Sequence, residues 1–227
     1  MKIVILAAGI GSRLENPLPK PLIRLTNNKT ILVQQIENIT TFFSIHDIVL
    51  VVGFKKDLIM ESFPELIYIY NQNFDQTNTS KSLLKALQKY SHEGVLWLNG
   101  DVVFETNILK TILPYIKQDI SFVCVNTAKV EEEEIKYTLN KSGYIKELSK
   151  QVKNGIGEAL GINFISSKDI KILIHYLEEC DAQDYFEKGI ELAIEQGGID
   201  VKPIDISEFK CMEIDFEEDL QKANEIF

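Results

Sequence analysis

A short apolar run followed at once by a glycine-containing loop constrains the fold of this chain more than any other feature. Residues 2–6 read Lys-Ile-Val-Ile-Leu, rich in β-branched residues and without alternating polar side chains. Such a run is typical of a strand that is buried on both faces of a parallel sheet. The loop that contains Gly9 and Gly11 is therefore expected at the carboxyl end of a strand, where open α/β sheets bind ligands.

The chemistry of this loop suits a polyphosphate. Gly9 and Gly11 have no Cβ, so backbone amides can approach an anion closely. Arg13 and Lys20 add two cations. A glycine pair alone would be more typical of an ordinary strand-to-loop turn, but here it is accompanied by Arg13, Pro19 and Lys20.

Residues 6–22, LAAGIGSRLENPLPKPL, resemble the opening motif of the nucleotidyltransferases that join a nucleoside triphosphate to a phosphorylated acceptor. That motif is similar to LxxGxGxR followed by PK. The seven-residue step from Arg13 to Lys20 is similar to the short form of the loop in cytidylyltransferases and in some sugar-phosphate uridylyltransferases. The resemblance implies catalytic roles for Arg13 and Lys20 in neutralising triphosphate charge. It also implies nucleotide contacts from Leu6, Ala8, Gly9 and Gly11.

Composition narrows the class of protein. The 227 residues, 45% of them hydrophobic, are enough for one well-cored domain. A net charge of −10 argues against a nucleic-acid surface, which needs a basic stripe. No secretory signal and no apolar run of membrane-spanning length is evident, so we expect a cytoplasmic protein without a membrane partner. The three widely spaced cysteines are expected to be packing residues.

Apolar strand patterns alternate with helical periodicity along the chain. This βαβαβ rhythm predicts an α/β fold: a single Rossmann-like domain over residues 1–227, with a mainly parallel, mixed central sheet flanked by helices. Residues 137–148 are expected to form a small β-hairpin that contributes to an acceptor subregion. The sequence leaves open whether the protein forms a homodimer.

A polar segment, residues 71–80, precedes a helix predicted over residues 82–90. In the resembling family the segment at this place closes over the nucleotide base. The resemblance therefore implies base or ribose contacts from Asn78, Thr79, Ser80 and Ser82. The alternative for Ser80 or Ser82 is a role as the N-cap of the helix.

Two aspartates are candidate ligands of Mg²⁺, the expected cofactor. Asp101 ends the apolar run of residues 94–101, and many nucleotidyltransferases have a similar strand ending in Gly-Asp, where the Asp binds magnesium. Asp215 ends residues 211–215, Cys-Met-Glu-Ile-Asp, which resemble a segment of phosphocholine-type cytidylyltransferases with the second magnesium ligand. Both could instead be capping residues, and for Asp215 a capping box with Glu218 is the specific alternative.

The resemblance also implies acceptor contacts. Lys150 follows the hairpin where sugar-phosphate nucleotidyltransferases often have a phosphate-binding lysine. Here the local sequence is Ser-Lys-Gln rather than Glu-Lys-Pro, so Lys153 or plain surface exposure stays open. Glu158 and Glu187 are further candidates, whereas the acidic run of residues 131–134 is more typical of a solvated surface.

Together these features predict transfer of CMP from CTP to a small phosphorylated acceptor with release of pyrophosphate. The acceptor is expected to resemble phosphocholine or a phospho-amino acid such as phosphoglutamine, because the segment after Gln118 is too short for an elaborate sugar-binding cap. The product would activate a cell-surface building block. A sugar 1-phosphate acceptor is the first alternative. A non-catalytic nucleotide-binding regulator is the second, and a lectin-like or glycosyltransferase-like binding module is a third that would lack Arg13 and Lys20 in this spacing.

Overall fold

The apolar runs of the sequence lie side by side in one twisted sheet. The computed structural model describes residues 1–14, 16–128, 130 and 134–227, except for the side chain of Ser12. Its strands are β1 (Lys2–Ala7), β2 (Ile48–Val52), β3 (Ile67–Tyr70), β4 (Val95–Asn99), β5 (Val102–Phe104), β6 (Phe122–Asn126), β7 (Lys136–Leu139), β8 (Ile145–Ser149), β9 (Glu158–Ile165), β10 (Lys202–Asp205) and β11 (Cys211–Glu213). Its α-helices are α1 (Ile31–Thr40), α2 (Lys56–Ser62), α3 (Thr79–Lys89), α4 (Asn107–Lys117), α5 (Ile170–Glu179), α6 (Phe186–Glu195) and α7 (Glu217–Ile226).

The main sheet has the strand order β10-β6-β9-β4-β1-β2-β3, and the β7–β8 hairpin joins it through β9. Strand β1 pairs in parallel with β2 and β4, whereas β9 runs antiparallel to β4 and β6. Helices cover both faces, and each face has its own apolar core. The predicted α/β domain with a mainly parallel, mixed sheet is confirmed.

Strands β5 and β11 form a separate antiparallel ribbon outside the main sheet. Val103 of this ribbon and Ile214, which directly follows it, pack with Ala223 of α7 in a third, smaller core. The pairing of β11 with β5 thereby holds the C-terminal helix α7 against residues 102–104.

Three local predictions need correction. Helix α3 begins at Thr79 rather than Ser82, because Asn78 is its N-cap and accepts from the Thr79 amide at 2.8 Å; a serine cap for this helix is therefore wrong. Helix α7 has its N-cap at Phe216, so Asp215 is not the cap. The capping-box residue is Asp219 rather than Glu218. Its Oδ2 accepts from the amides of Asp215 and Phe216 at 3.2 and 2.9 Å.

Strand β10 was not predicted from the sequence. It contains Pro203 and pairs only with β6, at the edge of the sheet. A proline lacks the amide that a central strand needs, and an edge strand tolerates it. Its short length and polar ends hide the alternation that would mark a strand.

The cysteines that were predicted to be packing residues are buried or partly buried, and Trp97 is buried as well. Trp97 is 1% exposed and packs edge-on against Phe186, with ring centroids 5.6 Å apart. Cys124 and Cys180 are buried and Cys211 is partly buried, and all three are free thiols. Within the described residues, no helix is both long and apolar enough to cross a membrane.

Candidate nucleotide and acceptor site

A cavity of about 630 Å³ opens where β1 and β4 end, as expected for a parallel sheet. The structure brings most of the predicted site residues around it. Those that line it are Leu6, Gly9, Gly11, Arg13, Lys20, Asn78, Thr79, Asp101, Lys150, Glu158, Glu187 and Asp215.

The glycine loop is shaped by a contact with Lys20. Gly11 has a φ of +66°, and a Cβ at this position would lie 2.7 Å from Cγ of Lys20. Only a glycine adopts this conformation readily and leaves room for the lysine stem. A Cβ at Gly9 would meet no atom within 4 Å, so the backbone there faces open space in which a ligand can approach.

Lys20 lies between the two predicted metal ligands. Its Nζ is 3.1 Å from Oδ2 of Asp101 and also forms a short ion pair with Oδ1 of Asp215. The lysine side chain is 14% exposed. Burial alone would lower the pKa of Lys20, but the charges and hydrogen bonds of Asp101 and Asp215 outweigh burial and raise this pKa. Lys20 is therefore firmly cationic.

The ribbon of β5 and β11 places the two aspartates next to each other. Glu213 lies opposite Val102 in the antiparallel register, and the next amide, that of Ile214, donates to the carbonyl oxygen of Asp101 at 3.0 Å. Asp215 follows directly. Its Oδ2 accepts from Nη1 of Arg13 at 3.1 Å, and the guanidinium carbon of Arg13 is 5.6 Å from the centroid of the Phe216 ring.

The donor set fits magnesium. Asp101 and Asp215 present carboxylate oxygens to one cation, and Mg²⁺ is usually held by one or two carboxylates together with substrate phosphates and water. The described residues contain no cluster of three or more His, Cys, Asp or Glu side chains that could hold a metal by itself. Two aspartates would leave the remaining positions to the phosphates of a nucleotide.

Glu213 is a functional candidate that the sequence analysis missed. It lines the cavity, and its Oε1 accepts from Nδ2 of Asn99 at 3.0 Å. Burial and then the negative charge of Asp101 raise the pKa of Glu213 well above its ordinary value. Gly161 makes room for it, since a Cβ there would lie 2.6 Å from this oxygen. The signal that could have identified it is its position two residues before Asp215, because residues i and i+2 of an extended segment face the same side.

The predicted base-binding residues divide into two groups. Asn78 and Thr79 line the cavity. Ser80 and Ser82 are buried in the first turn of α3 and do not line it, and Oγ of Ser82 accepts from Nδ2 of Asn71 at 3.0 Å. Ala8 is also buried outside the cavity lining, and its carbonyl oxygen accepts from the amide of Phe54 at 3.1 Å.

The acceptor candidates combine one lysine with several carboxylates. Nζ of Lys150 lies 5.5 Å from the centroid of the exposed Tyr185 ring. Glu187 is 9% exposed, and burial raises its pKa to about 7 although the nearby charge of Lys150 works in the opposite direction. Glu158 is buried as well, and its Oε1 accepts from Nδ2 of Asn126 at 3.3 Å.

The structure bears on two alternatives from the sequence, namely Lys153 in place of Lys150 and a solvated surface for the acidic residues 131–134. Lys153 is exposed and does not line the cavity, whereas Lys150 does. Of the acidic run, residues 131–133 lie outside the described residues. Glu134 lines the cavity, so at least this glutamate belongs to the site rather than to a distant solvated surface.

Comparisons with known proteins show which family the chain belongs to. A model of the MobA-like NTP transferase domain matches residues 3–167. The "Bifunctional protein GlmU" of Methanococcus maripaludis strain C5 is 34% identical over 181 residues, which cover 76% of this chain and 40% of that protein. The "CMP-5'-(3-aminopropyl)phosphonate synthase" of Streptomyces rubellomurinus is 31% identical over 121 residues, which cover 49% of this chain and 19% of that protein. The chain thus spans less than half the length of these relatives.

Solved structures share the fold at low identity. The inositol-1-phosphate CTP transferase from T. maritima superposes with a TM-score of 0.83 at 19% identity, covering 99% of this chain and 94% of that one. The CTP:phosphocholine cytidylyltransferase of Streptococcus pneumoniae superposes with a TM-score of 0.79 at 20% identity, covering 99% and 98%. Because the family model matches more than half of the residues and the cavity carries the glycine loop, this chain belongs to the family of MobA-like NTP transferase domains.

Proposed function

We propose that this nucleotidyltransferase transfers CMP from CTP to a small phosphorylated acceptor that carries an amine, with release of pyrophosphate. The observation that carries the proposal is the convergence of Lys20, Asp101 and Asp215 beside the glycine loop. This arrangement offers cations and anions within a few ångströms of one another at the end of β1. Phosphoryl chemistry needs mainly such positioning and charge neutralisation.

In this reaction an oxygen of the acceptor phosphate attacks the α-phosphorus of the triphosphate in line, and pyrophosphate leaves with the electrons of the broken P–O bond. Lys20, Arg13 and the amides near Gly9 and Gly11 neutralise the triphosphate charge. No side-chain nucleophile is required. Bound at Asp101 and Asp215, Mg²⁺ would supply further neutralisation of phosphate charge.

The choice of CTP rests on two points. Asn78 and Thr79 bring hydrogen-bonding side chains to the cavity, and these groups can read the edge of a pyrimidine. The Streptomyces relative has a name that places CMP in its product. We retain Asn78 and Thr79 as nucleotide contacts and leave out Ala8, Ser80 and Ser82, which do not line the cavity.

The choice of an amine-bearing acceptor rests on the charges near Lys150. One lysine can bind the acceptor phosphate, while Glu158 and Glu187 bring two buried carboxylates to the same cavity. A cationic group on the acceptor would stabilise the ionised form of the buried Glu187, and Tyr185 offers an aromatic face for an ammonium group. The name of the Streptomyces relative also contains an aminopropyl phosphonate.

A sugar 1-phosphate is the second candidate acceptor. A UDP-glucose pyrophosphorylase has the same fold, with a TM-score of 0.76 at 15% identity over 99% of this chain and 97% of that one. Glu158 and Asn126, which are hydrogen-bonded to each other at the cavity, could also bind sugar hydroxyls.

The test is pyrophosphate release from CTP, UTP, ATP and GTP, each with phosphocholine, phosphoethanolamine, phosphoglutamine and glucose 1-phosphate. We expect the highest kcat/KM with CTP and an amine-bearing acceptor, and strongly reduced release by Asp101→Asn. Equal use of ATP or GTP contradicts the base assignment. Preference for glucose 1-phosphate favours the second candidate. Nucleotide binding without release from any pair would indicate a non-catalytic regulator.

A further inference from the structure

The turn that begins α3 and the segment that begins α6 are joined by hydrogen bonds. The amide of Asn78 donates to the carbonyl of Ala182 at 2.8 Å, and the amide of Ser80 donates to that of Asp184 at 3.3 Å. Nε2 of Gln183 donates to the carbonyl of Gln76 at 2.9 Å. We call residues 76–80 and 182–186 together the α3–α6 junction.

Thr79 makes the most specific of these contacts. Its Oγ1 accepts from the backbone amide of Phe186 at 3.1 Å. The first amides of a helix have no partner within the helix, and Tyr185, the N-cap residue of α6, forms no side-chain cap bond. Thr79 therefore caps α6 from another helix.

The first turn of α6 bears acceptor candidates on both sides of this contact. Tyr185 precedes Phe186 and faces Lys150, and the buried Glu187 follows it. Phe186 is 1% exposed and packs against Trp97 of β4, so the start of α6 is held at two points, one apolar and one polar. Without the Thr79 bond, the amide of Phe186 would lose its partner in a buried place.

We propose that Thr79 is a positioning residue for the acceptor: its hydroxyl fixes the start of α6, and with it Tyr185 and Glu187, against the turn that contacts the nucleotide. The hydroxyl oxygen accepts a hydrogen bond from the Phe186 amide, and its O–H group can still donate a hydrogen bond to a ligand. A nucleotide that accepts a hydrogen bond from this hydroxyl stiffens the α3–α6 junction and thereby raises the affinity for the acceptor substrate. By linkage, the acceptor raises nucleotide affinity by the same factor. The inference rests on the proposed function.

Thr79→Val and Thr79→Ser separate the hydroxyl from the shape of the side chain. Valine has nearly the same volume as threonine but lacks the hydroxyl that bonds to the Phe186 amide, whereas serine keeps this hydroxyl. Thr111→Val is a matched control, because that hydroxyl donates to the Asn107 carbonyl in its own helix at 3.2 Å and does not line the cavity. We expect Thr79→Val to raise the acceptor KM about tenfold, the scale of one unpaired buried amide. Because Thr79 also contacts the nucleotide in the proposed function, the CTP affinity should fall as well, so the acceptor KM is measured at saturating CTP. Thr79→Ser should restore both values.

Hydrogen exchange and fluorescence test the positioning without an acceptor. The amides at the start of α6 should exchange faster in Thr79→Val than in the wild type, Thr79→Ser or Thr111→Val. Trp97 is the one tryptophan of the chain, so its emission reports on Phe186. We expect CTP with Mg²⁺ to slow this exchange and shift this emission in the wild type but not in Thr79→Val.

The outcomes are distinguishable. Equal exchange and an equal acceptor KM in Thr79→Val and the wild type would overturn the inference and leave the proposed function intact. A parallel loss of kcat and thermal stability without a change of acceptor KM would reduce Thr79 to a structural cap and also overturn it. A wild-type protein that binds none of the four triphosphates by calorimetry would overturn the proposed function and, with it, the link to the acceptor.

Discussion

The amide of Ile214 donates to the carbonyl oxygen of Asp101 at 3.0 Å, although the two residues are far apart along the chain. This bond continues the antiparallel register of β5 and β11, in which Glu213 lies opposite Val102. It places Asp215 beside Asp101, so that the ammonium of Lys20 binds both carboxylates. The charges of the candidate site therefore depend on the register of one short ribbon.

The first prediction concerns Lys20. Replacing it by alanine should lower kcat about a hundredfold or more, the scale of removing one electrostatic stabiliser of a transition state. Pyrophosphate release under saturating substrates measures the effect. An unchanged kcat together with an unchanged KM for CTP would remove Lys20 from the site.

The second prediction concerns the two aspartates as a unit. Asp101→Asn and Asp215→Asn keep shape but remove charge, and each should lower kcat strongly. Because both are expected to hold the same ion, the double variant should lose little beyond the worse single variant. Glu218→Gln is the control, since Glu218 is exposed and Asp219 accepts the free amides at this end of α7. Near-wild-type activity of Asp215→Asn at limiting magnesium would leave Asp101 without its predicted partner.

The third prediction concerns competition between Lys20 and a divalent cation. Lys20 already neutralises Asp101 and Asp215, so the protein without nucleotide should bind Mn²⁺ weakly. Lys20→Met removes the cation that binds both carboxylates and leaves, among the described residues, only Arg13 paired with Asp215, so the affinity for Mn²⁺ should rise about tenfold or more, since charges this close interact by a few kcal/mol. Electron paramagnetic resonance of free Mn²⁺ measures the affinity. Tight binding of Mn²⁺ by the wild type without nucleotide would contradict this prediction.

The fourth prediction concerns the pH dependence of stability through Glu187. Burial raises its pKa in the folded protein from 4.5 to about 7. The folded state then binds more protons than the unfolded state between these values. The contribution of Glu187 to the free energy of unfolding is therefore full below pH 4.5 and falls as pH rises toward 7. Lys150 and Glu134 are charged groups that act on this carboxylate, and Glu213 interacts with it as well.

Glu187→Gln removes this proton binding. Its free energy of unfolding relative to the wild type should increase with pH across that window, by up to about 3 kcal/mol. Thermal or urea unfolding of both proteins at several pH values measures the difference, with Glu218→Gln as an exposed control. A difference that stays constant from pH 4.5 to 7 would show that Glu187 titrates normally.

Local patterns were sufficient for much of this protein. The apolar run of β1, the glycine loop with Arg13 and Lys20, and the strand that leads to Asp101 were recognisable because their chemistry lies within a few consecutive residues. The alternation of strands and helices predicted the α/β sheet, since buried strands and amphipathic helices have different periodicities. The family followed from the same motif.

Only the tertiary structure decided how distant segments meet. No local pattern shows that Ile214 pairs with Asp101, that Gly161 makes room for Glu213, or that Thr79 caps α6. Ser80 and Ser82 are chemically as suitable for a ligand as Asn78, yet the start of α3 buries both of them. These outcomes depend on the register and packing between parts of the chain that are far apart in sequence, and that register is set by backbone hydrogen bonds and core contacts that form only when the whole sheet is assembled.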